Sequence, residues 1–370
     1  MSLRPPIEET AVARSHRGPA RSPVLLTRHP RRPEAVPESG PLVDTYGRVH
    51  TDLRISLTDH CNFRCVYCMP EEGLPFRPRD EMLSADEILR LARIAYDLGV
   101  RSVRLTGGEP LLRRDVVSLV GELSAIGFDD LALTTNGSRL VRLAPDLAAA
   151  GLRRVNVSCD SLRPDRFEAI RRRGRLATTL AGMDAAEEAG LAPLKVNVVV
   201  MKGSNDDEVE AFAAFARQTG RIVRFIEFMP LDAQHGWRRE TVVSGDEIVD
   251  RINRRWPLLP VVTGGGDRGG TAPAERFVFA DGRGEIGVVS SVTRPFCGTC
   301  DRLRLTADGS VRNCLFSDDE LSVRDVIRSG GGDEQVAKAF RVATWRKLAG
   351  HGINDPGFLQ PIRSMSAIGG

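Results

Sequence analysis

Three thiols stand within eight residues, Cys61, Cys65 and Cys68, just past the strand-like run Leu53-Arg54-Ile55-Ser56-Leu57. Thiols this dense read as metal ligands. A mononuclear zinc site wants four ligands and usually pairs its cysteines as Cys-x2-Cys. Three cysteines with no close fourth suit a 4Fe-4S cluster whose remaining iron is open to a small molecule. His60 is the only rival ligand in the window. A second set, Cys297-Gly298-Thr299-Cys300 with Cys314 thirteen intervening residues later, suggests zinc at first sight. No histidine occurs between His235 and His351 to complete such a site, so a second three-thiolate cluster is the better fit and zinc the alternative. Directly after Cys300, Arg302 and Arg304 alternate on one face of a strand-like run. Two guanidiniums beside a metal make a natural triphosphate clamp, against the plainer reading of a solvated edge.

Positioning these groups falls to six strand-like stretches, 53–58, 102–106, 130–135, 154–158, 194–201 and 222–228. Helical patterns near 84–98, 114–126, 140–150, 176–189 and 205–219 lie between them. Crossovers of that length predict an α/β fold with a parallel sheet, and six units a partial (β/α)6 TIM-like barrel. A capping box is legible from Ser84 to Glu87, and its spacing recurs at Asn205 to Glu208 and Ser244 to Glu247.

The strands alternate in polarity. Arg54, Ser56, Thr58, Ser102, Arg104, Thr106, Thr134, Asn156, Ser158, Lys195 and Asn197 fall on one side, and Leu, Ile and Val on the other. Helices must cover the apolar side, so the polar side is expected inside the barrel, where a packed core would carry Val, Ile and Leu. A basic, hydroxyl-rich interior predicts a cavity for a polar, anionic ligand. An antiparallel sheet with one wet face is the competing reading.

Ligands in such folds bind at the carboxyl ends of the strands. Turns expected there are Thr106-Gly107-Gly108-Glu109-Pro110, Thr134-Thr135-Asn136-Gly137 and Ser158-Cys159-Asp160-Ser161. Glycines let a backbone approach a ligand closely, and Glu109 could bind an ammonium. Cys159 reads as a small packed residue.

Composition bounds the rest. With 370 residues, 41% of them hydrophobic, the chain suffices for one large barrel or two domains. Its 52 basic and 49 acidic residues are too balanced to argue for nucleic acid, and 5% aromatics leave few stacking platforms. No apolar run approaches the roughly 18 residues of a membrane span. Seven cysteines, clustered and without a secretory leader, point to the cytoplasm. Residues 1–40 carry seven Pro, seven Arg and no aromatic, the composition of a disordered arm, and 263–272 read as a Gly-rich loop. The expected organisation is an arm over 1–43, a barrel over 44–235 and a C-terminal α+β region over 236–370 with the second cysteine set.

Cys-x3-Cys-x2-Cys with an aromatic before its last cysteine resembles the signature of the radical S-adenosylmethionine (SAM) superfamily. That triplet is followed in order by Gly107-Gly108-Glu109-Pro110, Phe225-Ile226-Glu227-Phe228-Met229-Pro230, Cys-x2-Cys-x13-Cys and a terminal Gly369-Gly370. With these, residues 44 to 370 resemble the GTP 3′,8-cyclase family, lyases of molybdenum cofactor biosynthesis.

The resemblance implies two 4Fe-4S clusters, one on Cys61, Cys65 and Cys68 and one on Cys297, Cys300 and Cys314. The first would cleave SAM to a 5′-deoxyadenosyl radical and the second would hold guanine. The radical would take the 3′ hydrogen of GTP, and the resulting carbon radical would attack carbon 8. A final reduction would give (8S)-3′,8-cyclo-7,8-dihydroguanosine 5′-triphosphate. Tyr67, Gly108, Ser158 and Met229 would contact SAM; Arg54, Arg104, Thr134, Lys195, Arg302, Leu303 and Arg304 would contact GTP. No acid–base residue is implied. Also implied are an electron donor of flavodoxin or ferredoxin type, a homodimer as one arrangement, and a C-terminal tail that enters the active site. No nucleic-acid or membrane partner is expected. Two other readings remain. A radical SAM peptide-modifying enzyme with an auxiliary cluster would need a peptide groove. A non-enzymatic iron-sulfur or zinc protein binding nucleic acid would need a clustered basic surface.

Overall fold

The computed structural model describes residues 35–261 and 273–369, so most of the expected arm and the Gly-rich loop lie outside the described residues. From residue 52 the chain alternates strands with helices. The strands are β1 (Asp52–Ser56), β2 (Ser102–Thr106), β3 (Asp130–Thr135), β4 (Arg154–Ser158), β5 (Lys195–Val200) and β6 (Ile222–Glu227). Between them run α1 (Ala85–Asp97), α2 (Val116–Ile126), α3 (Leu140–Ala149), α4 (Pro164–Arg171), α5 (Leu176–Glu188) and α6 (Val209–Thr219). The six strands pair in parallel in sequence order, as their alternation with helices predicts. Their apolar sides meet the helices, and Leu53, Ile55, Val103, Leu105, Leu133, Val155, Val157 and Val196 are fully buried there.

Local signals account for the helix ends. Ser84 accepts from the Glu87 amide and Glu87 returns a bond to Ser84, a complete capping box on α1. Ser244 caps α7 (Gly245–Arg255) through the Glu247 amide alone, half of a box, since the Glu247 carboxylate accepts from Arg251 instead. The third expected box does not form. Asn205 instead accepts from the Met201 amide at 2.8 Å and donates to the Asp160 and Val199 carbonyls at 2.7 and 2.9 Å. Glu208 accepts from Ser161 Oγ and the Leu162 amide. Burial turns both into braces for the turn after β4, which uses their hydrogen bonds better than a helix end would.

The C-terminal region extends the same sheet on both sides. Its strands are β7 (Leu258–Pro260), β8 (Glu275–Phe279), β9 (Glu285–Val289), β10 (Arg302–Leu305), β11 (Ser310–Arg312) and β12 (Glu320–Ser322). Helices α8 (Val323–Arg328), α9 (Asp333–Trp345) and α10 (Met365–Ile368) complete the chain. The sheet order is β12-β11-β10-β1-β2-β3-β4-β5-β6-β9-β8-β7. β10 lies parallel beside β1 and β9 parallel beside β6, so two strands add to the six expected ones in the parallel core. Antiparallel pairs finish each side, and among the described residues the sheet stays open. No helix among them is long and apolar enough to cross a membrane.

Candidate active site

Register builds the interior from the strands. Arg54 stands level with Arg304 on one neighbour and Arg104 on the other, and Arg154 follows two strands further on. Higher along the strands, Asn156 is level with Lys195, and Asn197 with Arg224. Few acids answer these cations. Arg54 is pushed well down by burial and by Arg304, Arg104 and Arg302; burial and Arg302 bring Arg304 down to about 10. Burial and Arg104 bring Arg224 down to about 9, and burial with Arg224 brings Lys195 down to about 7. Buried and without hydrogen-bond partners are Arg54 Nε, Arg104 Nε, Arg224 Nε, Ser56 Oγ and Asn197 Oδ1. The donors among them, unlike the accepting Asn197 Oδ1, are ready for a polyanion that would satisfy hydrogen bonds and charge together.

Arg302 and Arg304 are buried on this interior face, so the solvated-edge reading does not hold. Leu303, expected with them toward substrate, alternates outward and packs in the core beside its register partner Leu53. The side chains turned to the interior are the two guanidiniums, while the leucine side chain holds the strand down and leaves only its backbone for a ligand. Thr134 accepts from Asn156 Nδ2, and Asn156 Oδ1 in turn accepts from Arg224 Nη2 at 2.9 Å.

The first cysteine set lies in the loop after β1, at the carboxyl end of the strands. Burial and the neighbouring Cys65 push the Cys61 thiol up to about 12, and Cys68 rises through burial with Cys65 and Cys61 beside it. Donors already reach two of the sulfurs: the Phe63 amide to Cys61 Sγ at 3.4 Å and Arg171 Nη1 to Cys65 Sγ at 3.1 Å. A buried thiol triplet that costs so much to ionise alone, yet offers N–H groups to its sulfurs, fits a bound 4Fe-4S cluster. His60 is turned to Asp59 Oδ1 and stacks on Phe76.

The glycines of Gly107-Gly108 let the second turn close on this loop. The Gly108 amide donates to the Thr58 carbonyl, and a Cβ on Gly108 would stand 2.3 Å from the His60 carbonyl. Glu109 accepts from Leu111 N, Thr135 Oγ1 and Asn136 N, tying the turns after β2 and β3. Its carboxylate is a strut filled mostly by protein donors, which leaves less of it for a ligand ammonium. Glu227 does likewise after β6, accepting from the Gly245, Val292 and Thr293 amides. Tyr67 donates to Asp160 Oδ2 at 2.8 Å, and Ser158 and Met229 are half-buried at the ends of β4 and β6. Cys159 is fully buried with its thiol on the Ser161 carbonyl, a packed residue.

Cys297 and Cys300 precede β10, and Cys314 follows the antiparallel β11, so the second set lies at the opposite end of the parallel strands from the first. The cation row spans the interval. Cys300 is pulled down, against the effect of burial, by Lys347 and Arg302; Lys347 Nζ lies 3.5 Å from its sulfur. Burial raises the Cys297 thiol, and Cys314 and Cys300 add to the rise. This donor set also fits a cluster. No group of three or more His, Cys, Asp or Glu among the described residues is arranged for a single metal ion.

The C-terminal tail returns to the first mouth. Arg363 bonds both oxygens of Asp308 at 2.9 Å, the Met365 amide donates to the Leu231 carbonyl, and Gly369 meets Arg304. A cleft of about 310 Å³ there is lined by Asp59, Met69, Phe76, Arg77, Ser366 and Ala367. Sequence reasoning missed Arg224, whose place in the period-two pattern of β6 could have revealed it. It also missed Arg171 and the role of Asp160, for which the local sequence carries little signal.

Residues 55–216 match the Radical SAM superfamily, and residues 221–353 match Molybdenum Cofactor Synthesis C. The chain is 53% identical over 331 residues to "GTP 3′,8-cyclase" of Streptomyces coelicolor, covering 89% of this chain and 96% of that one. To "GTP 3′,8-cyclase 2" of Mycobacterium tuberculosis it is 49% identical over 344 residues, covering 91% and 94%. Among solved structures, Streptococcus suis SuiB bound to precursor peptide SuiA is similar with TM-score 0.53 at 14% identity. That match covers 76% of this chain and 65% of SuiB, so the chain spans just under two thirds of that protein. anSMEcpe with bound AdoMet gives TM-score 0.53 at 15% identity, covering 82% and 79%. At such identities the two structures bear on the fold alone.

Proposed function

The chain belongs to the GTP 3′,8-cyclase family of radical SAM enzymes, and from that premise we propose how its own residues carry the reaction. The protein cyclises GTP at the first step of molybdenum cofactor biosynthesis, with SAM and 4Fe-4S clusters as cofactors. The SAM-binding cluster, when present, supplies one-electron cleavage of SAM and hence a 5′-deoxyadenosyl radical. Cys61, Cys65 and Cys68 would hold it, and Cys297, Cys300 and Cys314 would hold the second cluster at the far end.

The observation that carries this reading is the row of half-buried to buried, under-neutralised cations between the two thiol sets. Arg54, Arg104, Arg304, Lys195 and Arg224 bind the triphosphate and ribose, and Arg302 reaches toward the second set. Thr134 and Asn156 offer polar groups to the same ligand. Gly108 brings backbone close to the SAM methionyl group, with Tyr67, Ser158 and Met229 around it. Strand register fixes these side chains before substrate arrives, so binding energy goes into orientation. The closed tail and the buried interior keep water from a radical that would otherwise be quenched.

A peptide substrate is not favoured: the interior is a charged chamber, and the peptide-binding structure is similar in fold only. An acidic electron carrier of flavodoxin or ferredoxin type and a cytoplasmic setting complete the proposal. The test is anaerobic incubation of the reconstituted protein with GTP, SAM and dithionite. GTP should convert to a product of the same mass with one 5′-deoxyadenosine per turnover; GTP left unconsumed while SAM is cleaved would refute the substrate assignment.

A further inference from the structure

Arg171 closes α4 and is almost fully buried. Its Nη1 donates to Cys65 Sγ at 3.1 Å. Its Nη2 lies 2.7 Å from Asp160 Oδ2, an ion pair off the line of a hydrogen bond. That carboxyl oxygen also accepts from the Tyr67 hydroxyl at 2.8 Å, and Asp160 Oδ1 accepts from the Val199 amide at 2.9 Å. The guanidinium stands 5.8 Å from the centroids of the Tyr67 and Phe167 rings. Main chain joins the same elements: the Arg64 amide donates to the Arg171 carbonyl and the Val66 amide to the Ile170 carbonyl, both at 3.0 Å. One cation therefore links the middle thiolate of the first set, a buried carboxylate and the aromatic hydroxyl next to Cys68.

We propose that Arg171 is a positioning residue for SAM cleavage: anchored by Asp160, it holds the Cys65 sulfur and the Tyr67 ring in place and eases electron entry into the first cluster. The proposal rests on the reading that Cys61, Cys65 and Cys68 carry a 4Fe-4S cluster. Reduction adds negative charge to the cluster and its sulfurs. A cation hydrogen-bonded to one sulfur stabilises the reduced form, and the nearby Asp160 carboxylate opposes it. The planar fork is what lets one side chain serve the sulfur and the carboxylate in two directions, which a lysine cannot reproduce. A purely structural ion pair would also brace α4 against the loop, but removing either partner would then act on stability alone.

The experiment reads the first cluster by itself, in a parent protein with Cys297, Cys300 and Cys314 replaced by Ala. Iron per chain, the EPR-monitored midpoint potential and SAM affinity are measured for R171M, R171K and D160N. At the potential where the parent is half reduced, R171M should show a reduced-to-oxidised ratio at least tenfold lower, a downward shift of about 59 mV or more for a one-electron couple. D160N should shift the opposite way. R171K should stay near the parent potential and bind SAM more weakly, because it cannot hold Cys65 and Asp160 together. Unchanged potentials in iron-replete R171M and D160N, or potentials that fall together, would overturn the proposal. If R171M takes up no iron, the near-isosteric D160N decides by its upward shift and R171K by its weakened SAM affinity, and an unchanged D160N potential or an unchanged R171K affinity would overturn the proposal. A parent protein with no iron on this triplet would instead refute the function reading on which the inference rests.

Discussion

Arg304 Nη1 donates to the carbonyl of Gly369, across 65 residues of sequence. Gly369 has φ +84°, and a Cβ there would stand 2.6 Å from Thr106 Oγ1 and 3.0 Å from Ser56 Cβ. Only glycine brings backbone this close to β1 and β2. The tail thereby gives a neutral acceptor to one member of a crowded cation row.

Removing Gly369 and Gly370 should therefore leave folding, iron content and SAM cleavage intact while most GTP cyclisation is lost. A peptide of the last residues should restore part of it in trans. Product formation under anaerobic, saturating conditions measures this, and full activity in the truncated protein would show the glycines to be expendable.

Charge in the chamber should be specific to GTP. Losing one desolvated charged contact typically costs about 2–5 kcal/mol. Arg304→Ala or Lys195→Ala should weaken GTP binding tenfold or more by calorimetry and leave SAM affinity nearly unchanged. Equal loss of both ligands would point to misfolding.

Lys195 adds a pH dependence. Burial, Arg224, Arg154 and Arg104 lower it from 10.5 to about 7. Between those values the unfolded chain holds a proton that the folded chain has released, so this group's contribution to stability rises with pH across that window and is lost below about 7. A triphosphate reverses the preference by favouring the ammonium. GTP binding at pH 8 should thus take up a proton and weaken as pH rises. Calorimetry in buffers of different ionisation enthalpy would detect the uptake, and Lys195→Met should abolish it.

Gly108→Ala should disturb the first cluster without touching a cysteine. The added methyl would meet the His60 carbonyl at 2.3 Å, and overpacking of this kind typically costs about 1–3 kcal/mol. Because the contact lies on the cysteine loop, reconstitution should yield less iron and a weakened SAM-dependent EPR change. Full iron and normal SAM affinity would show that the turn has more room than its geometry implies.

The two thiol sets should fail differently. Cys65→Ala should abolish reductive SAM cleavage even with dithionite. Cys297→Ala should lose cyclisation but retain some unproductive cleavage. Release of 5′-deoxyadenosine at the native rate by the first variant, or none by the second with its first cluster intact, would contradict the division of labour.

Period two made the chamber legible in the sequence. Arg54, Arg104 and Lys195 could be set on one face from the sequence alone, and strand register brings Arg54 level with Arg104 and Lys195 level with Asn156. The rule stopped short at β6, where Arg224 between Val223 and Phe225 repeats the pattern. The flanking strands were harder. β9 and β10 have five and four residues, and their pairing with β6 and β1 is long-range information that no local pattern carries. Asn205 and Glu208 carried a sound helix-start signal, but tertiary burial recruited both side chains elsewhere. Arg171 opens a run of three arginines that reads as surface, and only the buried Phe167 and Ile170 on the preceding turn hint at its inward face.

The central claim is that this interior presents the GTP ribose to a radical made at Cys61, Cys65 and Cys68. Turnover with GTP deuterated at the 3′ position tests it most directly. Mass spectrometry of the 5′-deoxyadenosine released should show one deuterium per molecule, in step with GTP consumed. 5′-Deoxyadenosine that stays unlabelled while the GTP is cyclised would contradict the account.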